Sequence, residues 1–237
     1  MLGVDQTPAL SHRVALCKQL ARAVSDVHGI KLVHKSIRPR SILVVGQYQW
    51  ERSSQSLVLT DWTLVREFEG ASHWVGEDDW QRAIYQHPTR QGLQAESKYT
   101  IKHDIYSLGV CMLEMLLWQP FIVKSNPEAE DSPKAISEHF QRRAISLGAD
   151  QGIPERYFGD SRTMTKKPAV VRRVMVDWCR TELPACAGNK LKQVVMDCLC
   201  CLDANGGTGP EASEINDLES GLDYIGDVVV ALNSVSV

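Results

Sequence analysis

The chain has no basic residue after Lys192, although Asp197, Asp203, Glu211, Glu214, Asp217, Glu219, Asp223 and Asp227 all follow it. It has no uninterrupted apolar run of the ~18 residues that a membrane span needs. The longest candidate, Ile105 to Trp118, is broken by Glu114. No basic-then-apolar leader opens the sequence, so no secretory signal is expected. Positive charge is not in excess: the net charge of −3 gives no general reason to expect a nucleic-acid partner. The 7 cysteines are an odd number without framework spacing, which argues for a reducing, cytoplasmic setting. Cys198, Cys200 and Cys201 cluster in an apolar stretch with no histidine nearby. Buried thiols are the expectation there, and a metal site is the alternative.

What is present is ordinary for a folded chain. The 237 residues are 43% apolar and 23% charged, enough for a sizeable core in one or two domains and unlike a disordered composition. Lys166, Lys167, Arg172, Arg173, Arg180, Lys190 and Lys192 make a basic segment. It reads as a solvated helix face, with a partner-docking patch as the sharper alternative.

Residues 1–10 form a lead-in. Ser11 is a candidate helix cap, and Val14, Cys17, Leu20, Ala21, Val24 and Val27 recur at helical spacing until Gly29 stops the helix. The stretch Leu32-Val33-His34-Lys35-Ser36-Ile37-Arg38-Pro39-Arg40-Ser41-Ile42-Leu43-Val44 follows. Two short apolar runs there flank a polar, proline-stiffened loop, the way a fold presents side chains at a site. Gly46 to Ser56 reads as a hairpin connection containing Tyr48 and Trp50, and Leu57 to Thr60 as a strand ending at Asp61-Trp62-Thr63. Ile105, Leu108, Met112, Met115 and Leu116 form a helical stripe with Val110, Leu113 and Leu117 on its other sides, the pattern of a fully buried helix. A polar insert spans about 124–168 with a helix near Ile136 to Ile145; helices are expected over Val170 to Trp178, Leu191 to Leu202 and Gly221 to Asn233. The run Asn205-Gly206-Gly207-Thr208-Gly209-Pro210 reads as a loop; it lacks the Lys of a phosphate loop and sits in acidic surroundings.

The loop resembles the catalytic loop of protein kinases, His-Arg-Asp-x-x-x-x-Asn, with His34, Lys35, Ser36 and Ser41 at its four working positions and Arg38 where many kinases carry Lys. Asp61-Trp62-Thr63 resembles Asp-Phe-Gly, and Tyr85-Gln86-His87-Pro88-Thr89 resembles the end of the activation segment without its Glu. Asp104-Ile105-Tyr106-Ser107-Leu108-Gly109 resembles the start of the kinase F helix. The resemblance covers about residues 11–202. It implies a mostly α fold with a small β hairpin, a protein-kinase-like C-terminal lobe forming a single domain over 11–237, with an acidic C-terminal segment. It also implies that Asp104 accepts hydrogen bonds from the loop backbone. His34 is expected to pack in the core, Trp62 to plug it in place of Phe, and Trp74 and Trp80 to pin the activation segment. The missing Glu at Thr89 and the absence of any Arg after Arg180 suggest an ion pair lost from both sides, which costs little, whereas one lone member costs roughly 3–5 kcal/mol. The variant His-Lys-Ser-Ile-Arg-Pro resembles fungal kinase-like proteins, some of which carry a HeLo-type prion-inhibition domain upstream.

Phosphoryl transfer is mostly positioning and charge neutralisation. Ser36 cannot supply the carboxylate base. Asp61 remains as a candidate metal and cofactor carboxylate, Ser41 offers one neutral oxygen, and Arg38 is a candidate to stabilise phosphate charge. Only about ten residues precede the first helix, so a Gly-rich loop and a strand Lys are not expected in this polypeptide. ATP and Mg²⁺ are expected only if residual nucleotide binding survives. Three readings follow: an inactive kinase-like binding or signalling module with a protein partner, an atypical weak kinase completed by an N-lobe upstream or from a second chain, and a truncated product with an exposed apolar face.

Overall fold

The computed structural model describes residues 7–46, 55–68, 76–77, 79–92, 95–126, 131–149, 168–203 and 214–236. Trp74, Tyr48, Trp50, the Gly run after Asp203 and, within the polar insert, residues 127–130 and 150–167 lie outside them.

The stripe read from Val14 to Val27 makes one helix, α1 (Leu10–Gly29), and all six of its apolar residues are buried. Ser11 does not cap it. The Ala9 carbonyl accepts from the amides of His12 and Arg13, so the helix begins before Ser11 and needs no side-chain cap there. Gly29 is the last helical residue.

The two apolar runs around the loop enter different sheets. The first, β1 (Leu32–Val33), pairs antiparallel with β4 (Arg66–Glu67). The second, β2 (Ile42–Val45), pairs antiparallel with β3 (Ser56–Leu59), placing Ile42 opposite Leu59 and Leu43 opposite Val58. The expected single hairpin is therefore a hairpin plus a separate strand pair. Between them Lys35 is left-handed, with φ 65°, and Pro39–Ser41 forms a 3-10 turn. Strand alternation gives β2 and β3 a buried face (Ile42, Leu59) and an exposed one (Leu43, Val45, Val58).

After the short helix α2 (Trp80–Ala83), α3 (Ile101–Leu117) runs through the centre. Every side chain from His103 to Leu116 is buried, as its all-round apolar pattern requires. Gly109 has a packing reason: a Cβ there would lie 2.6 Å from the Cys198 Cβ of α7 (Asn189–Cys200), so only glycine lets the helices approach this closely. Next come β5 (Ile122–Lys124) and β6 (Lys134–Ile136), an antiparallel pair. Pairing of Ile136 with Ile122 moves the start of the expected helix to α4 (Glu138–Ser146), which Ser137 caps. The remaining elements are α5 (Pro168–Thr181), α6 (Leu183–Ala187), which the sequence did not suggest, and α8 (Glu214–Asn233). Trp178 stacks on Phe121 at 5.4 Å and meets Phe140 edge-on at 5.2 Å. Burying one such large apolar side chain is worth about 1.5–3 kcal/mol. The last helix covers α1, and Lys18 Nζ donates to the Val235 carbonyl at 2.9 Å.

The fold is mostly α with a few short antiparallel strands, as expected. All seven cysteines are unpaired, and Cys198 and Cys201 are buried while Cys200 is half-buried. Among the described residues no helix is long and apolar enough to cross a membrane.

Candidate functional site

The loop is held from beneath by one carboxylate. Asp104, fully buried in the first turn of α3, accepts from the backbone amides of His34 at 2.7 Å and Lys35 at 2.9 Å. It also accepts from the Tyr99 hydroxyl at 2.7 Å and His28 Nε2 at 3.1 Å. Burial by itself would raise this carboxyl, but the bonds from His28, Tyr99 and the loop overcome it and hold it below the usual range. Four donors on one buried carboxylate fix the loop to the central helix.

His34 lies fully buried, its Nδ1 accepting from the Ser36 amide at 3.3 Å. Its ring meets Trp62 edge-on at 5.2 Å. Burial lowers its pKa, so it sits as a neutral core imidazole. Trp62 is not the sealed plug expected from its position: it is 50% exposed, with His34 against one side of the indole and its Nε1 donating to the Leu59 carbonyl at 3.2 Å.

Asp61 stands at the mouth of the loop in a left-handed conformation, φ 62°. Its Oδ2 accepts from the Ser36 hydroxyl at 2.7 Å and from the Arg38 guanidinium at 3.1 Å. Its Oδ1 accepts from the Thr63 hydroxyl at 2.8 Å, and Arg82 stands 3.9 Å away. The Ser36 bond leads in pulling this carboxyl down to about 2, with Thr63 and Arg38 adding to it against a smaller opposing effect of burial. Ser41 is fully buried and turned inward: its hydroxyl accepts from the Arg38 amide at 3.1 Å and donates to the Arg38 carbonyl at 2.9 Å. It closes the 3-10 turn and does not face Asp61's cleft.

That cleft has a volume of about 360 Å³ and is lined by Arg38, Arg40, Asp61, Asp79 and Arg82. The structure thus brings together Ser36, Arg38 and Asp61, adds Arg82 and Thr63, and leaves Ser41, His34 and Asp104 as supports. Arg82 carried no signal in the sequence, since it lies in a segment with no spacing rule of its own; Thr63 stood in the Asp61-Trp62-Thr63 motif, but its bond to Asp61 was not expected. The donor set fits a divalent cation poorly. Asp61's oxygens already hold three hydrogen bonds, Ser41 is committed to its own turn, and no group of three His, Cys, Asp or Glu suited to a metal occurs among the described residues.

The lost Glu at position 89 is replaced by a neutral cluster. Thr89 Oγ1 contacts His87 Nδ1 at 2.9 Å, the Ser97 hydroxyl at 3.0 Å and His103 Nε2 at 3.3 Å. The Thr100 amide donates to His103 Nδ1 at 3.0 Å, so the His103 proton sits on Nε2 and faces the two hydroxyls.

The family model for protein tyrosine and serine/threonine kinases matches residues 4–143. A probable cell division protein kinase of Encephalitozoon cuniculi is 36% identical over 106 residues, 45% of this chain and 30% of that protein. The inactive tyrosine-protein kinase RYK of Caenorhabditis elegans is 27% identical over 135 residues, 55% of this chain and 21% of its own. The inactive tyrosine-protein kinase 7 of Gallus gallus is 22% identical over 151 residues, 64% of this chain and 13% of its own. The chain therefore spans less than a third of the length of each of these relatives.

Proposed function

The chain belongs to the protein tyrosine and serine/threonine kinase family, and from that premise we propose that it is a pseudokinase lobe, a binding or signalling module that does not transfer phosphate. One observation carries this reading. The residue at the base position, Ser36, has no carboxylate and spends its proton on Asp61, whose carboxylate is already met by Arg38 and Thr63. A substrate hydroxyl approaching Ser36 finds no group to take its proton. A metal approaching Asp61 must displace at least one of three donors. Two of the relatives carry the word inactive in their names, which agrees with this reading.

The partner is a protein. Leu43, Val45, Val58 and Trp62 are each about half exposed and belong to the hairpin and the turn beside the loop, an apolar surface that an N-lobe, supplied upstream or by a second chain, would cover.

The test is transfer of labelled γ-phosphate from ATP, in Mg²⁺ or Mn²⁺, to the chain itself or to mixed Ser, Thr and Tyr peptides. No transfer above that of an Asp61→Ala control is expected. Transfer by the wild type that Asp61→Ala abolishes would favour the atypical-kinase reading instead.

A further inference from the structure

The cleft beside the loop is lined by three arginines and two aspartates, with Glu77 3.6 Å from one of the arginines, and its cations are not all in use. Arg38, Arg40 and Arg82 face Asp61 and Asp79 across it. The Arg38–Asp61 contact at 3.1 Å is a true hydrogen-bonded pair. Arg82 is different: it reaches Asp61 only at 3.9 Å and Glu77 only at 3.6 Å, both beyond hydrogen-bond length. Its guanidinium is held between two carboxylates without being saturated by either. Arg40 is exposed and has no ion-pair partner among the described residues. Arg38 is only 13% exposed, and its Nε–H is shielded from water without a partner.

We propose that this cleft binds a phosphomonoester dianion directly through Arg38, Arg40 and Arg82, without a divalent cation, and that the phosphate is carried by a phosphorylated polypeptide side chain. The proposal rests on the pseudokinase reading and names a ligand class for it. A planar guanidinium matches two phosphate oxygens at once, and three of them around one space give the geometry such a group needs. Two carboxylates line the same space, and Asp61 stays ionised. Its charge is already met by Ser36, Thr63 and Arg38, which limits its repulsion of an anion. A metal is not needed to bridge phosphate to Asp61, because the arginines supply the positive charge that a metal would. A nucleotide is the less favoured source: among the described residues the lining is entirely charged, with no apolar or aromatic side chain for a base to lie on. The chain has Ser36 where a base would stand, and Arg38, Arg40 and Arg82 line the cleft beside it.

The test is titration calorimetry of the full chain in EDTA with three probes: inorganic phosphate, ATP, and a blocked Gly-phosphoserine-Gly peptide beside its unphosphorylated form. Saturable binding of the phosphopeptide alone, weakening as salt rises, is expected. Arg40→Gln, at an exposed residue whose loss does not threaten folding, should weaken it several-fold, and Arg82→Gln tenfold or more. Four results would overturn the proposal: no binding of the phosphopeptide in EDTA, equal binding of the unphosphorylated peptide, binding indifferent to both substitutions, or binding that appears only when Mg²⁺ replaces EDTA. ATP binding tighter than the phosphopeptide would overturn the peptide source. Phosphate transfer by the chain would instead overturn the pseudokinase reading and is measured separately.

Discussion

The Ser36 hydroxyl donates to Asp61 Oδ2 at 2.7 Å, so the residue at the base position occupies a lone pair of the residue at the metal position. Removing that hydroxyl frees Asp61 without creating a base. Ser36→Ala should cost about 1 kcal/mol of stability and leave phosphate transfer at background. Ser36→Asp should place two carboxylates side by side, raising the pKa of one of them, and should make the melting temperature respond to Mn²⁺ where the wild type does not. Unfolding scans with and without Mn²⁺ check both variants; an unresponsive Ser36→Asp would mean that Asp61 is closed to metal for another reason.

Asp104 is the anchor of the loop. Asp104→Asn swaps an acceptor for an amide whose N–H₂ must face either the His34 amide and His28 Nε2 or the Lys35 amide and the Tyr99 hydroxyl. A loss of about 3–5 kcal/mol is expected, the scale of a broken buried charge network. Urea unfolding measures it. Asp197→Asn, at an exposed carboxylate, is the control and should change stability by less than ~0.5 kcal/mol.

Stability should rise with pH from about 4.5 to 6.5. Burial, aided by neighbouring positive charge, lowers His103 to about 3 and His87 to about 4. The unfolded chain, with histidines near 6.5, binds more protons in that window, so stability is lost as pH falls. Glu114 acts in the opposite sense. Burial raises it to about 7, so its contribution declines as pH rises from about 4.5 to 7. Burial also lowers His34 and His12, so the histidines together outweigh Glu114 and leave a positive slope. Glu114→Gln keeps an oxygen for the Phe121 amide, which now lies 2.8 Å from Glu114 Oε1, and should steepen the acid loss while improving relative stability above pH 7. Urea unfolding across this range tests it; an unchanged slope in Glu114→Gln would refute the assignment.

Gly109→Ala should destabilise the chain by about 1–3 kcal/mol, because the new Cβ would meet the Cys198 Cβ at 2.6 Å. Gly29→Ala, where a Cβ meets nothing within 4 Å, is the matched control for thermal unfolding.

Much of this fold could be read from the chain. The periodicity from Val14 to Val27 and the all-round apolar pattern after Asp104 gave α1 and α3 because burial imposes their spacing directly. The position of Asp104 beneath the loop followed from the family resemblance, and the hydrogen bonds to His34 and Lys35 take that form. Strand partners were harder. Whether Leu32–Val33 pairs with Ile42–Val45 or with Arg66–Glu67 depends on how the loop turns at Lys35 and Pro39, not on composition. At the site, the substitution at Ser36 was visible as a missing carboxylate, but its bond to Asp61 was not. Arg82 reaches Asp61 through a backbone turn that no residue pattern announces, Thr63 was visible in its motif while its bond to Asp61 was not, and Trp62's exposure follows from what surrounds it rather than from its type.

The most direct measurement is thermal unfolding of the full chain in EDTA and in Mg²⁺, each with and without ATP. A ligand that binds only the folded state at a hundredfold excess over its Kd stabilises by about 2.7 kcal/mol, which such a scan resolves. The account predicts one cooperative transition whose midpoint is the same with and without Mg²⁺, whether or not ATP is present. A metal-dependent rise with ATP that Asp61→Ala removes would contradict it, because it would show Asp61 still holding a metal-nucleotide.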